Sequence, residues 1–274
     1  MKTIYHNNIA ISVNRLDAGR LVAQCLLVST GYEAVATIEA ATDSFVIRQA
    51  DWKVYRSPKA VLNGGGLATA LVGTEAYLGA GAALRAVAET AGPLPKELLA
   101  ECVKGIIQAE TYLFSERGFA SSDAYEAYWK TRYLNSCRLY SNLERVTHSW
   151  YKHVATRDWG DSLFNRFKTA VVKRREDDSL LVSGGFIDSF HELAAALTVA
   201  DGVVTDCAGG FLRAPDPVCR ENEAHFAALT GRQLDSLTTR EIGGVAGGAA
   251  GCSHLADLLN HLAGTVRQAD EPAV

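Results

Sequence analysis

Apolar and polar residues alternate with a two-residue period through four segments at the start of the chain, which predicts two β-hairpins. The hairpin turns fall at 15–19 and 42–44, where Asp, Gly and Ser supply turn conformations. Two Ala- and Leu-rich segments, 67–89 and 95–112, follow with the apolar spacing that is typical of amphipathic helices. The pattern predicts a pair of hairpins followed by helices.

The same pattern returns in the last third of the chain. Tyr32 stands 11 residues before Asp43, and Phe190 stands 11 residues before Asp201. Because short turns join antiparallel strands whereas parallel neighbours need long crossovers, the hairpins predict antiparallel pairing. The sequence therefore predicts an α+β fold in which a unit of two antiparallel β-hairpins followed by helices is duplicated.

Residues 1–110 and 168–274 are the two predicted copies, and residues 111–167 form an insertion of different composition between them. The insertion holds more than half of the Phe, Trp and Tyr residues of the chain. Asp123, with Glu126 three residues later, resembles the capping box that starts a helix. We therefore expect a helical insertion whose aromatic side chains either bury against the two copies or line a ligand pocket.

Composition narrows the classes of partner. The chain is 48% hydrophobic and 21% charged, which predicts a folded core, and its net charge of −4 favours neither nucleic acid nor an anionic membrane surface as a partner. Neither a signal-peptide pattern nor a stretch of 18 apolar residues is present. Six scattered cysteines do not suggest a disulfide framework. We expect a cytoplasmic protein with reduced thiols that binds a small molecule or a partner protein, with homo-oligomerisation open.

Two cysteines lie where helices are expected to begin. Asp216-Pro217 is a typical helix start and places Cys219 in the first helical turn. A glycine-rich run at 243–248, expected to be flexible, precedes Cys252 at the start of a later helix. Because the partial positive charge of a helix N-terminus favours a thiolate, both thiols are predicted to bind a metal or to attack an electrophile.

His191 completes the predicted metal site. The two-residue alternation places its side chain on the same strand face as Leu193, which we expect to be buried. His191, Cys219 and Cys252 are the predicted ligands of zinc, iron or an iron–sulfur cluster, although their wide spacing is not a local metal motif.

Further residues are candidates around this site. Asp188, Glu192 and His254 are expected either to supply a fourth ligand or to orient His191. Arg213 ends a strand beside a proline, as Arg56 does in the first copy, and is predicted either to form structural ion pairs or to bind an anion.

Three short sequences, His191-Glu192, Pro215 to Cys219 and Gly251 to Leu255, resemble the signature of a bacterial family of uncharacterised domains. The resemblance covers residues 186–262 and independently selects the two cysteines and the histidine. It implies a common site but names no activity.

The same stretch more distantly resembles the U-type iron–sulfur cluster scaffold proteins. In that resemblance Cys219 and Cys252 match two scaffold cysteines, and His191 falls where the scaffold has an aspartate. Ser189 stands in place of the first scaffold cysteine and Gly251 in place of its histidine. The resemblance therefore implies a changed metal site rather than ordinary cluster assembly.

Three functions remain open from the sequence. The first is a metal- or iron–sulfur-binding protein that carries, delivers or uses its centre in redox or biosynthetic chemistry. The second is a small-molecule enzyme with an aromatic-lined pocket between the copies, in which the same residues hold a catalytic metal, or Cys219 or Cys252 is a nucleophile with His254 or His191 as base. The third is a non-catalytic binding module.

Overall fold

The computed structural model describes residues 1–154 and 160–270 and shows a mixed α+β fold. Its strands are β1 (Lys2–Asp17), β2 (Arg20–Ser29), β3 (Glu33–Ala41), β4 (Ile47–Arg56), β5 (Gly64–Leu67), β6 (Ser162–Arg174), β7 (Leu180–Asp188), β8 (Glu192–Ala200) and β9 (Val203–Arg213). They form one antiparallel sheet in the order β5-β4-β3-β2-β1-β6-β7-β8-β9. The predicted α+β class with antiparallel hairpins is confirmed. Residues 155–159 of the predicted insertion and 271–274 of the predicted second copy lie outside the described residues.

The described residues contain seven α-helices: α1 (Gly81–Ala91), α2 (Pro93–Ala109), α3 (Ser122–Arg132), α4 (Trp150–Val154), α5 (Pro217–Arg220), α6 (Thr239–Ala246) and α7 (Ser253–Asp270). A 3-10 segment, Glu221–Leu229, continues from α5. Within the described part of the chain, none of these helices combines the length and apolar character that a membrane span requires.

The chain divides into two compact units. The C-terminal unit comprises the described residues 1–8, 123–154 and 167–270, and the N-terminal unit comprises residues 9–122 and 160–166. The described part of the predicted aromatic insertion thus falls largely in the C-terminal unit. The internal duplication itself remains a prediction.

Two expectations about helices are wrong. Residues 67–80 do not begin the first helix, because short strand and 3-10 segments fill this region and α1 starts only at Gly81. Gly73 adopts a positive φ of 82°, which interrupts a right-handed helix. The glycine-rich run at 243–248 is not wholly a flexible loop, because its first four residues complete α6. Thr238 and Glu241 form a capping box that starts this helix.

An arginine closes the corner between β2 and β3, residues 29–33, which we call the first corner. The guanidinium of Arg56 donates hydrogen bonds to the carbonyl oxygens of Ser29, Thr30 and Tyr32. The backbone N–H of Tyr32 donates to the Ser29 hydroxyl oxygen at 2.8 Å, and the N–H of Ser29 donates to the Tyr32 carbonyl at 2.8 Å. The arginine thus donates to three carbonyl groups of the turn, of which that of Tyr32 also accepts the Ser29 N–H.

The core of the C-terminal unit lies between one face of β7, β8 and β9 and the helices that follow them. From Leu193 to Val199, alternate residues of β8 are buried, as the sequence pattern predicts. Leu255, Leu258, Leu259 and Leu262 of α7 belong to the same apolar cluster. Their spacing of three to four residues places one face of the helix in the core.

Two adjacent glycines of β9 differ in the space around them, which gives a test of this packing. A Cβ atom on Gly209 would lie 2.4 Å from the carbonyl oxygen of Ala194 and 2.6 Å from a ring carbon of Phe226. A Cβ atom on Gly210 would meet nothing closer than Glu223, at 3.7 Å.

We expect Gly209→Ala to lower the free energy of unfolding by about 1–3 kcal/mol, because the added methyl group overpacks the core. Gly210→Ala should change it by less than about 0.5 kcal/mol. Chemical denaturation of both variants measures the difference. Equal stabilities would contradict the close packing of the 3-10 segment on β9.

Candidate metal centre

The corner between β7 and β8, residues 188–192, contains the first part of the site and is called the second corner. Arg213 closes it by donating hydrogen bonds to the carbonyl oxygens of Asp188, Ser189 and His191. The N–H of Asp188 donates to the His191 carbonyl at 2.8 Å. The N–H of His191 donates to Asp188 Oδ1 at 2.7 Å.

The two corners therefore share one pattern of hydrogen bonds, which aligns Asp188 with Ser29 and His191 with Tyr32. The spacing of the aspartates instead pairs Tyr32 with Phe190, one residue away from this alignment, and the duplication on which that pairing rests remains a prediction. A serine and a tyrosine are sufficient to build the first corner. The acid and the imidazole of the second corner are consequently not required by its backbone conformation.

Asp188 fixes the orientation of His191. Its Oδ1 atom accepts hydrogen bonds from the N–H groups of Phe190 and His191 and lies 3.2 Å from His191 Nδ1. Because a carboxylate oxygen only accepts hydrogen bonds, this contact calls for a proton on His191 Nδ1 and leaves Nε2 as the ring nitrogen that could face a metal ion. Asp188 and His191 are only 4% and 6% exposed, so the pair is held in the protein interior.

The start of α7 supplies the second part of the site. The Cys252 N–H donates to the Ala246 carbonyl, and the Cys252 carbonyl accepts the N–H of Ala256. Cys252 therefore caps the helix, as the sequence predicts. The Cys252 sulfur is close enough to the backbone N–H groups of Leu255 and His254 for them to lower the pKa of its thiol. This sulfur lies 3.9 Å from Nδ1 of His254.

The second corner and the start of α7 meet at three side chains, Asp188, His191 and His254. Each offers one ligand atom, and these atoms all lie within 4.8 Å of one another. The imidazole rings of His191 and His254 are stacked, with centroids 3.8 Å apart and an angle of 25° between their planes. Phe186 packs its ring edge-on against His254 with centroids 5.5 Å apart. Two nitrogen donors and a carboxylate thus converge in a largely buried place, where they could hold a metal ion.

The sequence predicted Cys219 and Cys252 in the close group of ligand side chains, but the structure does not place them there. Within residues 1–154 and 160–270, the group of mutually close metal-ligand side chains contains His191 but neither Cys219 nor Cys252. Cys252 is adjacent to the group through its contact with His254. Cys219 lies in the first turn of α5, where the Asp216 carboxylate accepts the N–H of Val218 as the sequence predicts. The carriage of a metal by these thiols remains a prediction.

The expectation that helix N-termini make both thiols acidic is wrong. Burial raises the pKa of Cys219 to about 12, and the nearby Cys252 adds to the rise. Burial also raises the pKa of Cys252 to about 11, although the N–H groups of Leu255 and His254 oppose the rise. The cost of removing a thiolate from water exceeds the stabilisation by the helix terminus.

Arg138 connects the described insertion to both cysteine-bearing segments, and sequence reasoning missed this residue. Its backbone N–H donates to the Gly251 carbonyl, and its guanidinium donates to the Ala250 carbonyl, at 2.8 and 2.7 Å. The guanidinium also donates to Asn222, whose side-chain amide donates to the Cys219 carbonyl. The sequence shows that residue 138 is charged. It does not show the partners of the guanidinium, because they lie 83 to 112 residues away along the chain.

The insertion also covers the second corner. Trp150 packs edge-on against Phe190 with ring centroids 4.9 Å apart. His153 Nε2 donates to the Phe190 carbonyl at 2.8 Å, and burial lowers the pKa of His153. The predicted helix from Asp123 is present as α3, and the Glu126 carboxylate accepts the N–H of Trp150. Aromatic residues of the insertion therefore contact the residue that precedes His191.

The remaining candidate residues, Arg213 and Glu192, lie at the second corner. Arg213 donates to three carbonyl oxygens and so helps to build the second corner. Its binding of an anion remains a prediction. Glu192 is the first residue of β8, lies opposite Arg213 in the sheet and is half-buried. The exposed first-corner arginine, Arg56, binds carbonyl oxygens in the same way.

Comparison with known proteins gives one match. No curated protein and no solved structure matches the chain. The model of an uncharacterised family matches residues 169–268, which include the second corner, both helix-start cysteines and His254. Residues 169–268 are thus similar to the family described as "Protein of unknown function (DUF2889)", and the matched stretch contains the whole candidate metal centre.

Proposed function

We propose that the protein binds a single divalent transition-metal ion in its C-terminal unit and uses the resident ion on a small molecule. The observation that supports this proposal is the convergence of Asp188, His191 and His254, whose candidate donor atoms lie within 4.8 Å of one another. Imidazole nitrogens favour zinc, copper, iron and nickel over magnesium or calcium.

The proposed ligands are His191 Nε2 and a ring nitrogen of His254, with Asp188 orienting His191. Asp188 Oδ1 is already approached by three nitrogen atoms of Phe190 and His191. A carboxylate that holds the other ring nitrogen of a ligating histidine fixes its orientation and raises its basicity. Two ligands in a zinc or iron site stand about 3.4 Å apart. Binding would therefore require the two stacked imidazole rings to rotate so that a nitrogen lone pair of each points at the same ion.

A single ion suits the site better than an iron–sulfur cluster. Such clusters are held mainly by cysteine thiolates. The close group instead contains two imidazoles and a carboxylate. Its burial also favours an ion that stays with the protein over one that is passed to a partner. A bound divalent ion in such a place would act as a Lewis acid or lower the pKa of a bound water.

Metal content tests the proposal directly. Chelator-treated protein is titrated with Zn²⁺, Co²⁺ or Fe²⁺ and its bound metal is measured after desalting. We expect about one ion per chain in the unaltered protein. His254→Gln should weaken binding by more than about 100-fold, because the loss of a ligand costs at least as much as the loss of a group that supports one.

His148→Gln is the matched control. His148 also has an aspartate beside it, with Nδ1 3.6 Å from Asp216, but it is not part of the close group. The His148→Gln variant should bind metal with the affinity of the unaltered protein. Metal-free protein under all three ions, or equal losses in both variants, would refute the proposal.

A further inference from the structure

The sulfur of Cys252 lies slightly farther from a ring nitrogen of His254 than two ligands of one metal ion lie from each other. The Sγ–Nδ1 distance is 3.9 Å. Bond lengths of about 2.3 Å to sulfur and 2.0–2.1 Å to nitrogen, joined at a tetrahedral angle, place two such ligands about 3.6 Å apart. A shift of roughly 0.3 Å therefore brings both atoms to ligand positions.

The backbone around Cys252 holds this pair in place. Cys252 is anchored on both sides, through its N–H to Ala246 and its carbonyl to Ala256. His254 is held between the rings of His191 and Phe186. Cys252 and His254 are thus separated by one residue at a fixed helix start, and only the rotation of short side chains is needed to adjust them.

We propose that Cys252 is the sulfur ligand of the metal centre and makes it selective for zinc over harder ions, an inference that rests on the metal site proposed above. The ligand set would then be His191, His254 and Cys252, with Asp188 supporting His191; Cys252 is close to His254 but outside the group that contains His191, so binding would draw the Cys252 sulfur and His191 together around the ion. Coordination replaces the S–H bond by a metal–sulfur bond and releases the proton to solvent. Three protein ligands leave a fourth tetrahedral position open for water or substrate, which is the arrangement of catalytic zinc sites.

The donor set gives this selectivity a chemical basis. A thiolate is a soft ligand that favours zinc, whereas manganese and magnesium favour oxygen ligands. One thiolate also offsets part of the charge of a divalent ion in a buried place, where uncompensated charge is costly. Cys219 is buried in the same unit but has no such histidine contact in the described structure, so it serves as the matched control.

Cobalt substitution provides the test. The full chain is stripped of metal and titrated with Co²⁺ without oxygen, and absorption is recorded in the near ultraviolet and the visible. We expect a thiolate-to-cobalt charge-transfer band together with the visible bands of a tetrahedral site. Cys252→Ser should abolish the charge-transfer band and reduce the preference for Zn²⁺ over Mn²⁺ by at least about tenfold, and Cys219→Ser should keep both.

The outcomes separate the two proposals. Cobalt that binds without a charge-transfer band overturns the role of Cys252 and leaves the histidine site intact. A band that survives in Cys252→Ser but not in Cys219→Ser overturns it as well. Absence of any bound cobalt or zinc refutes the metal site itself. X-ray absorption of the zinc-loaded unaltered protein checks for sulfur at about 2.3 Å independently of any variant.

Discussion

Replacing Asp188 by serine is expected to lower the affinity for Zn²⁺ by about 10–100-fold while the protein keeps its fold. Serine is the residue that stands at this place in the first corner, where the Ser29 hydroxyl accepts the N–H of Tyr32 at 2.8 Å. The variant therefore retains a side-chain acceptor for the corner. It removes the carboxylate that lies 3.2 Å from His191 Nδ1 and that also accepts the Phe190 N–H. Isothermal titration with zinc and thermal unfolding measure the two effects separately.

Asp188→Ala is the control for the structural part of this prediction. Alanine removes the acceptor for the N–H groups of both Phe190 and His191, which are buried. Removing a side-chain acceptor of backbone N–H groups at a helix start costs about 0.5–2 kcal/mol, and we expect a similar loss here relative to the serine variant. Zinc affinity should fall equally in both variants. A serine variant that binds zinc like the unaltered protein would show that Asp188 has no role in orienting His191.

The sequence predicted those parts of the site that depend on local signals. Asp216-Pro217 marks the start of α5, and the two-residue alternation around His191 marks its buried face. Both features arise from interactions within a few residues, so they can be read from short stretches. The short Asp- and Gly-containing turns likewise predicted antiparallel hairpins.

The sequence did not predict how these parts meet. The stacking of His191 on His254 depends on how α7 packs against β8, which is determined by an apolar cluster whose members are far apart in the sequence. The same burial reversed the expected acidity of Cys219 and Cys252. A pattern of residues shows that a helix starts at a cysteine but does not show how much water reaches its sulfur.

Replacing Arg138 by methionine is expected to speed the chemical modification of Cys219 and Cys252 by about 10–100-fold. Methionine keeps much of the apolar stem but removes the guanidinium, which donates to Ala250, Asn222 and Glu221. A hydrogen bond from a charged donor contributes about 1.5–3 kcal/mol. Because Arg138 is partly exposed, its guanidinium hydrogen bonds together are expected to contribute about this much to holding the segment closed. Buried thiols react when the covering segment opens, and each 1.4 kcal/mol changes that opening equilibrium tenfold.

Arg145→Met is the matched control for this prediction, because Arg145 also pairs with Glu221 but, among the residues that the structure describes, does not contact those directly before Cys252. Its ion pair is exposed to water, and exposed ion pairs contribute little to stability, so labelling should rise by less than about fivefold. Pulse alkylation followed by peptide mass spectrometry reads each cysteine separately. Cys207, buried in β9, provides an internal reference for global unfolding. If Arg138→Met accelerates Cys207 as much as Cys252, the arginine stabilises the unit as a whole and does not specifically hold the insertion over the two cysteine-bearing segments.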